Sequence, residues 1–205
     1  MNKSDLQSKL IPDLASKLTP AGYKYVKSRE SFESGSKRLH VDVNYWNTNN
    51  YCITSLHSGI YFRDIQKYRQ SVTSEDVKEM NTVYLRSDCS WTYSNDNDYE
   101  NNLREVFDFT LSSVIPHLTR LDDREYVLER ILDRSIACFM NEYSRMMTLL
   151  SLAKFSDDLN LSKILDSFDP SIHHKNQLIS HDRTNLEKFT EDFPELSRIL
   201  QIQYG

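Results

Sequence analysis

Residues 37–62, KRLHVDVNYWNTNNYCITSLHSGIYF, decide the fold. Leu39, Val41, Val43 and Tyr45 alternate with His40, Asp42, Asn44 and Trp46. After Asn47-Thr48-Asn49-Asn50, a second alternation runs through Cys52, Thr54, Leu56, Ser58, Ile60 and Phe62. Successive side chains of a strand point to opposite faces, so this stretch predicts a β-hairpin with one apolar face. Thr48 fits poorly in a two-residue turn that demands positive φ, which favours a four-residue loop. Either loop gives one register: Val41 opposite Leu56, Val43 opposite Thr54, Tyr45 opposite Cys52. An odd-numbered loop would turn one strand's apolar set to the wrong side.

Working outward, residues 4–18 predict a helix. Leu6, Leu10, Leu14 and Leu18 share one face, Ser4 or Asp5 can cap it, and Pro12 bends or breaks it. Tyr23 to Arg29 and Ser31 to Glu33 read as short strands around the turn chemistry of Ser34-Gly35-Ser36. Residues 63–81 suggest short helices, with Thr73 or Ser74 as a cap. Thr82 to Arg86 and Ser90 to Tyr93 read as strands, and Ser94 to Asp98 as a polar loop capping a helix from Tyr99 to Leu121. Leu103, Val106, Phe107, Thr110, Leu111, Val114, Leu118 and Leu121 form its core stripe. Residues 123–155 hold neither Gly nor Pro and continue a helical period, as one helix or two; 158–168 and 182–200 predict further helices. The expected architecture is α+β: a small antiparallel sheet packed by helices in residues 1–122, then an all-helical extension, residues 123–205.

Composition excludes several functions. The four glycines among 205 residues, Gly22, Gly35, Gly59 and Gly205, lie too far apart for GxGxxG, GxxxxGK or GxSxG. The net charge of −5 lacks the basic surplus of a general nucleic-acid binder. Cys52, Cys89 and Cys138 are odd in number and show no CxxC or CxxH spacing, against a disulfide framework or a structural zinc site. The polar start predicts no signal peptide, and the apolar run from Met146 to Ala153 is too short to span a bilayer. The expectation is a cytoplasmic protein with no cofactor.

An opening helix ending in Leu18-Thr19-Pro20-Ala21-Gly22-Tyr23 is followed by a strand pair, with Tyr51-Cys52-Ile53-Thr54 leading to Gly59-Ile60-Tyr61. Trp91, an acidic stretch and a long helix with Ile115-Pro116-His117-Leu118 come next. Together these resemble the bacterial domain-of-unknown-function family 4304 over roughly residues 5–135. The resemblance implies an α+β domain and carries no established activity or catalytic residues. Some small bacterial proteins of this general kind sit beside toxin genes, so it also implies a possible immunity role. Residues 136–205 fall outside it.

The hairpin register places His40 opposite His57, Asp42 opposite Ser55, Asn44 opposite Ile53 and Trp46 opposite Tyr51 on the face away from the core. Directly opposed Cβ atoms in such a pair lie about 4.5–5.5 Å apart. Polar groups flanked by aromatics suit a partner contact. His40, Asp42, Asn44, Trp46, Tyr51, Ser55 and His57 are therefore the candidate binding residues, with another protein as the expected partner. The ordinary alternative is a solvated sheet face, with Trp46 and Tyr51 as a cross-strand pair. The chemical alternative is a metal-dependent or histidine-based hydrolase using His40, His57 and Asp42, although no oxyanion-hole motif accompanies Ser55.

Weaker clusters have plainer explanations. His173, His174, His181 and Asp182 lack the spacing of a zinc helix. Asp96-Asn97-Asp98-Tyr99-Glu100 resembles part of a calcium loop, but Tyr99 stands where the sharp turn needs Gly, so helix capping fits better. Lys24, Lys27, Arg29, Lys37 and Arg38 read as charge guarding an exposed sheet edge. Met140, Met146 and Met147 read as core.

Overall fold

A computed structural model describes residues 2–46, 51–74, 82–85, 90–136, 141–156, 161–169, 171–172 and 179–202. The chain forms two compact units: Met1–Ile60 with Tyr84–Asp122, and Tyr61–Val83 with Asp123–Gly205. One division falls between Asp122 and Asp123. Residues 61–83, however, lie with the helical unit. Sequence periodicity predicts helix there but says nothing about which core that helix joins.

The first unit opens with α1 (Lys3–Leu18), whose N-terminal amide of Asp5 is capped by Asn2 rather than by Ser4 or Asp5 themselves. Leu6, Leu10, Leu14 and Leu18 are completely buried. Pro12 does not break the helix. Pro12 and Ser8, the residue whose carbonyl loses its amide partner, are both exposed, and the leucine stripe holds the rod together. Strands β1 (Lys24–Val26), β2 (Ser31–Ser34), β3 (Lys37–Trp46) and β4 (Tyr51–Ile60) follow as an antiparallel meander. A 3-10 turn, Lys27–Arg29, and Glu30 at φ 47° separate β1 from β2.

The β3–β4 pairing has the register expected from the alternation, from Lys37 opposite Ile60 to Trp46 opposite Tyr51. Leu39, Val41, Val43, Cys52, Leu56 and Ile60 are buried on one side, whereas Tyr45, at the loop end of the same stripe, is 41% exposed. Residues 47–50, which carry the loop prediction, lie outside the described residues. Thus the side-chain period of two and the loop parity suffice to set the ladder.

Helix α2 (Arg63–Thr73) ends at Ser74, which takes φ 62° as a C-terminal cap. The helix that Thr73 or Ser74 is expected to cap falls on residues 75–81, outside the described ones. Strand β5 (Val83–Leu85) lies beside β4, and β6 (Ser90–Tyr93) pairs with the loop-proximal half of β4. Helix α3 (Asp96–Phe109) starts at a reciprocal capping box between Asn95 and Asp98, so these residues are helix caps, as expected. The single helix expected to Leu121 is interrupted by a π turn, Thr110–Val114, before α4 (Ile115–Arg120). Pro116 has no amide for the Ser112 carbonyl and its ring would crowd that oxygen. The widened turn, closed by the Ile115 amide on Thr110, relieves both problems. Helices α1, α3 and α4 pack on β3, β6 and β4 respectively.

The second unit contains α2, α5 (Arg124–Leu132), α6 (Glu142–Ala153), α7 (Leu161–Asp166), α8 (Ile179–Lys188), a 3-10 turn at Phe189–Glu191 and α9 (Leu196–Ile202). Among the described residues, 123–155 thus contain two helices, α5 and α6. Every residue of α6 is buried, including Glu142 and Arg145, and α2, α5, α7 and α8 pack around it. Helix α2 is tied into this unit by the Tyr68 hydroxyl, which donates to Asp192 at 2.6 Å, and by its Thr73 carbonyl, which accepts from Lys188 at 2.8 Å. Met146 and Met147 are fully buried core; Met140 lies outside the described residues. No described helix is long and apolar enough to cross a membrane.

Candidate functional site

Strands β3 and β4 are each ten residues long, and their alternation turns His40, Asp42, Asn44, Ile53, Ser55 and His57 away from the buried side. His40 is paired with His57, Asp42 with Ser55, and Asn44 with Ile53. Asp42 and Asn44 are exposed, and His40, Tyr51, Ser55 and His57 are half-buried. Trp46 is placed by its backbone opposite Tyr51; its side chain lies outside the described atoms.

An ion-pair geometry on this face runs diagonally across the ladder. His57 Nε2 lies 3.1 Å from Asp42 Oδ2, with the side chains 35% and 50% exposed. Diagonal neighbours in an antiparallel pair are within reach of long side chains, which explains why Asp42 engages His57 while standing opposite Ser55. The carboxylate can fix the imidazole's orientation, but a contact this exposed contributes only about 0–1 kcal/mol. It positions the ring; it does not hold the sheet together.

The face extends further than the hairpin alone suggests. Ser90 of β6 pairs with Ser55, and Thr92 pairs with Ile53, and both are exposed. They continue the cross-strand rows Asp42–Ser55–Ser90 and Asn44–Ile53–Thr92, the second with an apolar residue at its centre. Sequence reasoning missed them, because β6 is joined to β4 only by long-range pairing. The β6 alternation itself, with Trp91 and Tyr93 buried between Ser90 and Thr92, carried the signal.

Towards β2 the face closes. Ser31 is fully buried opposite His40, and Arg38 is 4% exposed. Glu33 collects the charges there: Arg29 Nε donates at 2.6 Å, Ser31 Oγ at 2.9 Å, and Arg38 Nε lies 3.4 Å away. Burial alone would raise the Glu33 carboxyl, but the Arg29 and Ser31 bonds and the Arg38 charge outweigh it and hold it below the ordinary carboxylate range. Three members of the basic cluster are thereby engaged internally, with Lys37 on Asp122 as the third. Lys24 and Lys27 remain exposed at the edge strand, as expected of an edge guarded by charge.

The other clusters separate. His181 of α8 is exposed beside Asn185, Asp182 is buried against Asn141, and His173 and His174 lie outside the described residues. Cys52 is buried in the sheet core; Cys89 and Cys138 lie outside the described residues. Among the described residues no three His, Cys, Asp or Glu side chains are grouped to hold a metal ion. The polar face therefore brings together two imidazoles and one carboxylate with hydroxyl and amide groups, an arrangement suited to hydrogen-bonding a partner surface. Comparison with protein-family models, curated proteins and solved structures finds no match to this chain.

Proposed function

We propose that the chain is a cytoplasmic, non-catalytic protein-binding module that contacts its partner through the outer face of β3, β4 and β6. The observation that carries this reading is the half-open polar face itself: His40, Asp42, Asn44, Tyr51, Ser55 and His57 share one side of the two longest strands, with the core gathered on the other. A toxin-neutralising role is the concrete form suggested by the resemblance to family 4304, and it rests on that resemblance.

The test is capture from native lysate with the wild-type chain and with a Trp46→Ala/His57→Ala double variant of unchanged melting temperature. The reading predicts a protein retained by the wild type and depleted about tenfold or more by the variant, as for loss of interface anchors. Equal recovery by both chains rejects the face.

The 3.1 Å His57–Asp42 contact favours a second reading, a hydrolase in which Asp42 orients His57 as a base beside His40. Turnover of activated esters or phosphate esters, with or without added divalent metal and abolished by His57→Ala, would establish it. A rate equal to that of the variant across such a panel removes it.

A further inference from the structure

Glu142, the first residue of α6, has a side chain only 2% exposed. Its carboxylate accepts from Arg134 Nη1 and Nη2, both at 3.0 Å, from Arg145 Nε at 2.9 Å and from Nη2 of the same residue, and from the Asp169 amide at 3.1 Å. Both guanidinium groups reach further. Arg134 and Arg145 donate to the Ser167 carbonyl at 3.1 and 2.7 Å, and Arg145 also donates to the Ile131 carbonyl at 3.2 Å. One anion thus gathers the end of α5, the start of α6 and the exit of α7.

Arg134 adds a second observation. It follows α5 at φ 60°, a left-handed position usually given to Gly. The Ser135 and Ile136 amides close this turn on the Arg130 carbonyl, and the side-chain contacts of Arg134 help offset the cost of a non-glycine residue there. The charged groups turned on the carboxylate are the two arginines. Asp169 offers its amide while its own carboxylate binds the Ser171 amide and hydroxyl, and Asp182 on α8 is taken up by Asn141. Helix α2, also packed on α6, gives Glu142 no hydrogen bond or ion pair among the described residues. Without the negative charge, two guanidinium groups would share one carbonyl and repel. Arg145 is 3% exposed and has nowhere to go; Arg134 is 36% exposed and can swing into water.

We propose that Glu142 is a single-charge latch, whose neutralisation frees the turn after α5 and the exit of α7 from α6 while the rest of the helical unit stays folded. Amide hydrogen exchange of the full chain, read by mass spectrometry, tests it with Glu142→Gln, which keeps the shape and removes the charge. Peptides covering residues 130–136 and 163–172 should lose protection about tenfold to a hundredfold, the effect of losing a buried charge-assisted contact. Peptides from the middle of α6 and from α8 should be unchanged. Unaltered protection at the two segments, or a uniform loss across the helical unit, overturns the latch. Should that variant fail to fold, Arg134→Ala decides: it keeps the Glu142–Arg145 pair and should loosen the same two segments, and unchanged exchange there rejects the proposal.

Discussion

Leu56 and His57 are sequence neighbours in β4 with opposite expected consequences when truncated to alanine. Leu56 is fully buried and faces Val41, itself 1% exposed. Removing its three outer carbons, at about 0.8 kcal/mol each, forfeits about 2.4 kcal/mol of transfer free energy. An incompletely collapsed cavity adds up to about 2 kcal/mol. His57 is 35% exposed and its contact with Asp42 is half in water, so its loss should cost about 0–1 kcal/mol. Urea unfolding followed through Trp91, 8% exposed in the same sheet, reads the difference. With a slope of about 1–2 kcal/mol per molar urea, Leu56→Ala should lower the midpoint by roughly 2 M and His57→Ala by at most about 1 M. Equal shifts, or a neutral Leu56→Ala, would mean that the two faces of the hairpin are not core and surface as described, and the reasoning would fail.

Acid should act on the helical unit through Glu142. Burial alone would raise its carboxyl, but the bonds from Arg145, Arg134 and the Asp169 amide hold it below its ordinary 4.5. The stability it contributes is therefore complete above pH 4.5 and lost as pH falls through the lower folded value, a loss that Glu142→Gln should abolish in melting scans. Alkali should act oppositely on the sheet unit: burial pushes the Tyr93 hydroxyl up to about 12, so stability is complete below pH 10 and lost as pH rises toward that value. Tyr93→Phe should lessen this alkaline loss in the same scans, and Tyr23, likewise pushed up to about 12 by burial, should retain part of it. At Arg134, both Ala and Gly remove the salt bridge, but Gly also relieves the φ 60° strain. Arg134→Gly should thus be about 1 kcal/mol more stable than Arg134→Ala by urea unfolding, and equal stabilities would show that the turn is unstrained.

The hairpin was legible because its signal is local and strict. Alternation names the faces and loop parity names the register, so His40 meets His57 without any tertiary information. The leucine stripe of α1 was legible for the same reason, at a period near four. Tertiary choices were not. Nothing between residues 61 and 83 announces that α2 packs on α6 and α8, because a short amphipathic helix fits either core. The burial of Glu142 and Arg145 was equally hidden, since a charged pair three residues apart reads in sequence as a solvated helix face. The periodicity from Tyr99 to Leu121 predicts a helix continuous through Pro116, and only the observed hydrogen bonds show the π turn before it. At the candidate face, the membership of β3 and β4 residues could be read from sequence. The contribution of Ser90 and Thr92, and the closure towards Ser31 and Arg38, depend on which strands flank the hairpin.

Hydroxyl-radical footprinting of the chain, alone and bound to the protein it captures, bears most directly on the outer face of the hairpin. The account predicts that His40, Tyr51 and His57 are oxidised in the free chain and shielded in the complex, while the fully buried Tyr93 reacts in neither. Shielding of those three residues already in the free chain, or a complex that leaves them reactive and protects a different surface, would contradict it.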